Sequence, residues 1–103
     1  MKIIMCLTDK IEEELHDANS YIELAIKWRA EDKDVGDLFY TLSTEEMGHV
    51  DKIHNEVVDQ IKVYREEHGE PPKGMMELYD HLHRKHTEKA MTIKIKQKMY
   101  LEE

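Results

Sequence analysis

The length, charge and cysteine content of the chain narrow the kinds of protein it can be. Its 103 residues suffice for one domain with a modest core, and the single cysteine, Cys6, excludes an internal disulfide. The net charge of -8 argues against binding to nucleic-acid phosphates or to an anionic membrane surface. The apolar run at residues 3–7 is too short for a membrane span and lacks the features of a signal peptide, so a cytoplasmic location is predicted.

The first helix is predicted over residues 8–32, with Thr8 or Asp9 as its N-terminal cap. Apolar residues at helical spacing define its buried stripe, and Glu14 is the one acid that falls inside that stripe. The stripe consists of Ile11, Leu15, Ala18, Ile22 and Ala25. The first helix therefore places one carboxylate in the predicted core.

The second helix is predicted over residues 35–67, after a charged break at 31–34 and before a stop formed by Gly69, Pro71 and Pro72. Glu46 and His49 project from the middle of its predicted apolar stripe. That stripe consists of Val35, Leu38, Phe39, Leu42, Ile53 and Val57. A Glu-x-x-His pair lies on one helix face, so both side chains can reach one metal ion.

Two buried carboxylates and an imidazole on facing helices need compensation, because an unpaired buried charge costs several kcal/mol. A divalent or trivalent cation bound by Glu14, Glu46 and His49 would supply it. Iron and manganese accept mixed carboxylate and imidazole ligands and zinc would bind as well, so ligand type alone does not select the metal. The alternative is a plain three-helix bundle without metal, in which the Glu-x-x-His spacing arises by chance.

The third helix is predicted over residues 74–100 and is less apolar than the other two. Its stripe consists of Met75, Leu78, Tyr79, Leu82, His86, Ala90, Ile93 and Tyr100. His86 is a candidate ligand, or a partner of a ligand, if this helix packs over the site; the alternative is a hydrogen-bonded core histidine. A group of lysines on this helix could bind an acidic protein partner. These are Lys89, Lys94, Lys96 and Lys98.

Residues 8–66 resemble half of a ferritin-like di-iron protein of the rubrerythrin and bacterioferritin kind. Glu14, Ala18 and Tyr21 resemble the first-helix pattern of that superfamily, in which a ligating Glu is followed about two turns later by a Tyr on the same face. Residues 44–49, Thr-Glu-Glu-Met-Gly-His, resemble the second-helix pattern.

The resemblance implies a di-iron site in which Glu46 bridges the metals and His49 is a terminal ligand. Tyr21 would hydrogen-bond a ligating carboxylate and orient it, or else it only packs in the core.

The chain contains half of the ligands of such a site. A complete ferritin-like bundle has a Glu from each of two helices and a Glu-x-x-His from each of the other two. The third helix adds none, because Glu77, His81 and Glu88 fall off its apolar stripe. Two copies related by a two-fold axis would restore the set, as in the encapsulated-ferritin family, which the chain resembles. The expected fold is all-α: an antiparallel helical hairpin of ferritin-like type plus a C-terminal helix, completed to a four-helix bundle in a homodimer or higher homo-oligomer.

The function that this resemblance implies is oxidation of ferrous iron by dioxygen or peroxide, as in a ferroxidase. The whole chain also resembles small ferritin-like proteins encoded by phages and prophages of Gram-positive bacteria, which implies a fold and little about activity. The alternative is a non-enzymatic assembly or interaction protein in which a metal, or the acid and histidine cluster alone, fixes how helices pair.

Overall fold

The computed structural model describes residues 1–102; Glu103, the last residue of the predicted domain, lies outside that range. Three α-helices follow one another in this range, α1 (Lys2–Trp28), α2 (Lys33–His68) and α3 (Lys73–Glu102). The described residues contain no strand, which confirms the all-α prediction. They form a rod of 55 × 18 × 18 Å.

The start of α1 differs from the expected cap at Thr8 or Asp9. Thr8 is buried inside the helix, and its hydroxyl donates to the carbonyl of Ile4, one turn earlier, at 2.7 Å. The apolar residues before Thr8 extend the helix because Ile4 is itself part of the core. Thr8 therefore satisfies its hydroxyl within the helix and does not begin it.

The turn between α1 and α2 begins four residues earlier than expected. The α1 helix ends at Trp28, and Asp32 serves as the N-cap of α2, where its side chain accepts a 3.2 Å hydrogen bond from the N–H of Val35. A capping residue has extended backbone angles, so Asp32 cannot also close the preceding helix. At the other end of α2, Gly69 adopts a φ of +79°, which glycine tolerates best.

The core lies between α1 and α2. Every residue of the predicted α1 stripe is buried, but only Val57 of the predicted α2 stripe is. Leu38 is 54% exposed. The buried residues of α2 are Gly36, Ser43, Met47, Val50, Val57 and Ile61. Packing against both α1 and α3 turns the buried face of α2 toward α3, so the expected stripe lies at the edge of the core.

The α3 helix runs parallel to α1 and is attached largely by polar contacts. Of its predicted stripe, His86, Ile93 and Tyr100 are buried. Two of its lysines are bound within the chain: Lys89 Nζ lies 2.7 Å from Glu12 Oε1, and Lys96 Nζ lies 3.0 Å from Glu23 Oε1. These two lysines are therefore already paired with acids of α1.

Ser43 joins all three helices. It is fully buried on α2, and its hydroxyl donates to the carbonyl of Ala18 on α1 at 2.7 Å. The same oxygen accepts a 3.0 Å hydrogen bond from the side-chain amide of Gln97 on α3. One hydroxyl thus satisfies the buried Ala18 carbonyl and the half-buried Gln97 amide.

The helices of residues 1–102 have no apolar stretch of the length needed to cross a membrane.

Two helical glycines give a matched pair of predictions. A Cβ at Gly36 would lie 2.9 Å from the Cα of Arg29 and 2.9 Å from the Oη of Tyr100, whereas a Cβ at Gly48 meets nothing within 4 Å. We expect Gly36→Ala to lower the free energy of unfolding by about 1–3 kcal/mol. Gly48→Ala should raise it by about 1 kcal/mol, because alanine has the higher helix propensity. Equal effects of the two substitutions in urea unfolding would contradict this packing of α1, α2 and α3.

Candidate metal centre

Glu14, Glu46 and His49 come together where α1 and α2 cross at mid-length. One ligand atom from each of the three side chains lies within 4.8 Å of the others. The Nδ1 of His49 is 3.4 Å from Glu14 Oε2 and 3.6 Å from Glu46 Oε2. Two carboxylates and one imidazole thus converge on a space of the size that one cation needs.

One oxygen of this cluster has no hydrogen bond. The Oε2 of Glu46 is buried and has no hydrogen bond among the described residues. A buried carboxylate oxygen without a donor is costly, and a cation would satisfy it. The donor set of two carboxylate oxygens and one imidazole nitrogen suits iron, manganese or zinc. The residues present therefore fit a metal ion, without selecting which one.

The cluster is more open than the sequence pattern suggests. Glu46 keeps 19% of its side chain exposed and His49 keeps 52%, so the site lies at the rim of the core within one chain. The expectation that both residues sit in the centre of an enclosed apolar face is thus wrong for the single chain. The cause is the same rotation of α2 that exposes Leu38.

The open side of the cluster faces away from α3. Glu12 and Glu14 are two residues apart on α1, which separates them by about 200° around the helix. Glu12 contacts Lys89 of α3, so Glu14 points to the opposite side of the hairpin. Glu46 similarly lies about 120° from Tyr40, which stacks on Tyr100 of α3 with ring centroids 5.1 Å apart. The third helix leaves the candidate metal face uncovered.

Tyr21 and Phe39 lie two helical turns from Glu14 and Glu46 respectively, and their rings stack with centroids 6.2 Å apart. Both are half-buried, as are Leu42 and Ile53. Tyr21 packs its ring on that of Phe39, while its expected hydrogen bond to a ligating carboxylate stays a prediction. Phe39 was predicted as part of the apolar stripe of α2 but not as the ring partner of Tyr21, yet a signal for that pairing exists. It lies seven residues before Glu46 as Tyr21 lies seven after Glu14, which places the two rings opposite each other on antiparallel helices.

His86 lies on the side of α1 opposite the metal cluster. It is buried on α3, and its Nε2 is 3.5 Å from Glu12 Oε2, without a hydrogen bond among the described residues. Because Glu12 and Glu14 point to opposite sides of α1, the expected contact between His86 and the ligands of its own chain is not formed. The sequence pattern located His86 correctly in a helix interface but could not show which side of α1 the third helix covers.

A histidine pair joins α2 to α3. The rings of His54 and His83 stack with centroids 5.0 Å apart, and Tyr79 leans on His83. Burial, followed by the charge of His83, lowers the pKa of His54 below its ordinary value of 6.5, while Asp51 acts in the opposite direction. The fold therefore favours the neutral form of His54.

The lowered pKa of His54 predicts that the stability of the fold depends on pH. Because the pKa of His54 is lower in the folded than in the unfolded chain, the unfolded chain binds more protons between the two pKa values. Stability should be full above about pH 6.5 and should fall as the pH drops toward the lowered pKa. We expect His54→Gln to flatten this part of the curve of melting temperature against pH, and the exposed His81→Gln to leave it unchanged. An unaltered slope in His54→Gln would contradict the assignment.

Comparison with known proteins finds no matching family model, no similar curated protein and no similar solved structure.

Proposed function

We propose that the chain binds iron at a site that two copies complete, and that it oxidises ferrous iron there. The observation that carries the proposal is the convergence of Glu14, Glu46 and His49 on a face that α3 leaves open, with Glu46 Oε2 buried and without a hydrogen bond. The ferritin-like resemblance of residues 8–66 supports iron as the metal. Manganese and zinc fit the same donors.

A second copy of the hairpin is the partner that this face needs. One chain contributes three donors, and the half-buried side chains around them leave apolar area for a partner to cover. Two copies related by a two-fold axis supply four carboxylates and two imidazoles, the number found in di-iron helical bundles. Contact with a partner would also remove His49 from water. The proposed dimer therefore completes both the ligand set and the core.

The residues of the chain have separate tasks in this proposal. Glu46, with its buried oxygen, would be the carboxylate shared by two irons, and Glu14 and His49 would each be a ligand of one iron. Tyr21 and Phe39 exclude water from one edge of the site. Bound iron supplies the redox chemistry, passing electrons to dioxygen or peroxide.

The test is anaerobic titration of the whole chain with ferrous iron, followed by exposure to air and measurement of bound and ferric iron. We expect about one iron per chain, as in a two-metal site shared by two copies, with rapid oxidation. Glu46→Ala should lose both properties. The neighbouring and exposed Glu45→Ala is the matched control and should retain them. Iron binding that survives in Glu46→Ala would rule out this site.

A non-enzymatic assembly protein is the second candidate function, and one observation favours it. The outer face of α3 exposes several large apolar residues, which an oxidase site on the opposite side of the hairpin does not require. In that case the metal would fix how helices pair without turning over oxidant. Metal binding at a normal level, without iron oxidation after exposure to air, would distinguish this function from the first.

A further inference from the structure

The two halves of α3 are attached to the α1–α2 hairpin in different ways. The half that begins at His86 is tied to α1 by ion pairs, as Lys89 is to Glu12. Residues 73–85, by contrast, form no hydrogen bond or ion pair with α1 or α2 in the part of the chain that the structure describes; their polar contacts stay within α3. The first half of α3 is therefore held by ring stacking and apolar packing alone.

The stack of His54 on His83 is the ring contact that joins this first half to α2. The two ring centroids are 5.0 Å apart and the ring planes differ by 15°, so the rings lie face to face. The ring of Tyr79, one turn earlier on α3, lies against His83 with centroids 5.7 Å apart. Neutral rings attract in such a stack, whereas two imidazolium ions repel each other.

The surroundings of the stack favour neutral rings. Burial, and then the charge of His83, lower the pKa of His54, while Asp51 on the same helix acts in the opposite direction. On α3, burial and the charge of Asp80 raise the pKa of Tyr79, which stays uncharged. No charged group of the described part of α1 acts on His54. A proton on each imidazole therefore places two positive charges side by side, with Asp51 as the acid that offsets them at His54.

Protonation has the opposite effect at the buried His86, about one turn further along α3. The Nε2 of His86 lies 3.5 Å from Glu12 Oε2, so a proton on His86 creates an ion pair with α1. The hydrogen bond from Lys89 lowers the pKa of Glu12, which keeps this carboxylate ionised in mild acid. Acid thus weakens the attachment of α3 before His86 and preserves it from His86 onward.

We propose that the His54–His83 stack is a pH switch, and that a proton on each ring releases residues 73–85 from α2 in mild acid while the rest of α3 stays attached. A released segment this short is only marginally helical in water, so its backbone hydrogen bonds would fray. Release would also uncover Ile61, which is 7% exposed and lines a groove together with Met76 of α3. The acid form would then present apolar surface of α2 that the neutral form covers.

Hydrogen exchange of backbone amides in the metal-free chain locates the release. After correction for the intrinsic effect of pH, we expect exchange within residues 76–85 to be several-fold faster at about pH 5 than at about pH 7.5. Residues 88–100 should stay protected at both pH values. Equal loss of protection in the two segments would mean that the whole chain unfolds, and would overturn the proposal, as would unchanged protection of residues 76–85.

Ring substitutions show whether the two histidines cause the release. His54→Phe keeps a ring on His83 but cannot take up a proton, so exchange within residues 76–85 should become independent of pH. The exposed His81→Gln, on the same half of α3, is the matched control and should open like the wild type. If His54→Phe does not fold, His83→Phe at the exposed position of the pair gives the same readout.

An acid-induced increase in exchange that is as large in these phenylalanine variants as in the wild type would assign the release to other groups and overturn the proposal. Because metal is absent throughout and none of the candidate ligands is altered, these outcomes do not depend on the proposed function.

Discussion

Glu46→Gln is expected to abolish the stabilisation that ferrous iron gives to the chain while leaving the metal-free protein as stable as before, or slightly more so. The two effects have different causes. Without metal, the substitution removes a charge whose Oε2 is buried and has no hydrogen bond. With metal, it removes a ligand. Binding to the folded state alone contributes about 2.7 kcal/mol at a metal concentration one hundred times the Kd, and most of this should be lost.

Thermal unfolding under anaerobic conditions, with and without ferrous iron, measures both effects. Glu45→Gln provides the control, since Glu45 is exposed one residue away and is not among the three clustered residues. It should unfold like the wild type in both conditions. A metal-induced increase in melting temperature that is equal in Glu46→Gln and wild type would show that iron binds somewhere else. Loss of stability in the metal-free variant would show instead that Glu46 supports the fold.

Ile22→Ala is expected to lower the free energy of unfolding by about 2–5 kcal/mol, a large part of the stability of a chain this short. Ile22 is fully buried at the centre of the α1 stripe, so the substitution leaves a cavity between the helices. Chemical denaturation followed by circular dichroism measures the loss.

The matched control is Ile3→Ala, the same substitution on the same helix. Ile3 is 55% exposed, so its truncation should change the free energy of unfolding by no more than about 0.5 kcal/mol. A comparable loss at both positions would mean that a partner covers Ile3 in solution or that the core is differently arranged.

The face of α1 that packs could be predicted from its sequence, whereas the face of α2 could not. Along α1 the small and branched residues lie on one face, and each predicted position is buried. On α2 the apolar residues are instead divided between the core and the open face. The 3.6-residue spacing of apolar residues does not separate these two faces. For this reason Leu38 was predicted to be in the core and Ser43 was not.

The members of the candidate metal cluster could be predicted for a similar reason. Glu14 on α1, and Glu46 and His49 on α2, share the helical spacing of the apolar residues around them. Antiparallel pairing of the two helices brings the three side chains together at mid-length. The position of α3 could not be predicted, because it depends on polar contacts such as Gln97 with Ser43 that leave no periodic signal. The choice between the two predicted roles of His86 depended on that position.

The Ser43 junction sets the direction in which the candidate metal face points. A hydrophobic contact tolerates small rotations, whereas a hydroxyl that must serve both Ala18 and Gln97 allows one setting of α2. Slipping α2 by one residue would turn Glu46 by about 100° and leave the Gln97 amide without its acceptor. Ser43, a buried serine that contributes little to the apolar core, thus fixes the rotation of α2 about its axis. That rotation sets the direction of the candidate ligands Glu46 and His49, three and six residues further along the helix.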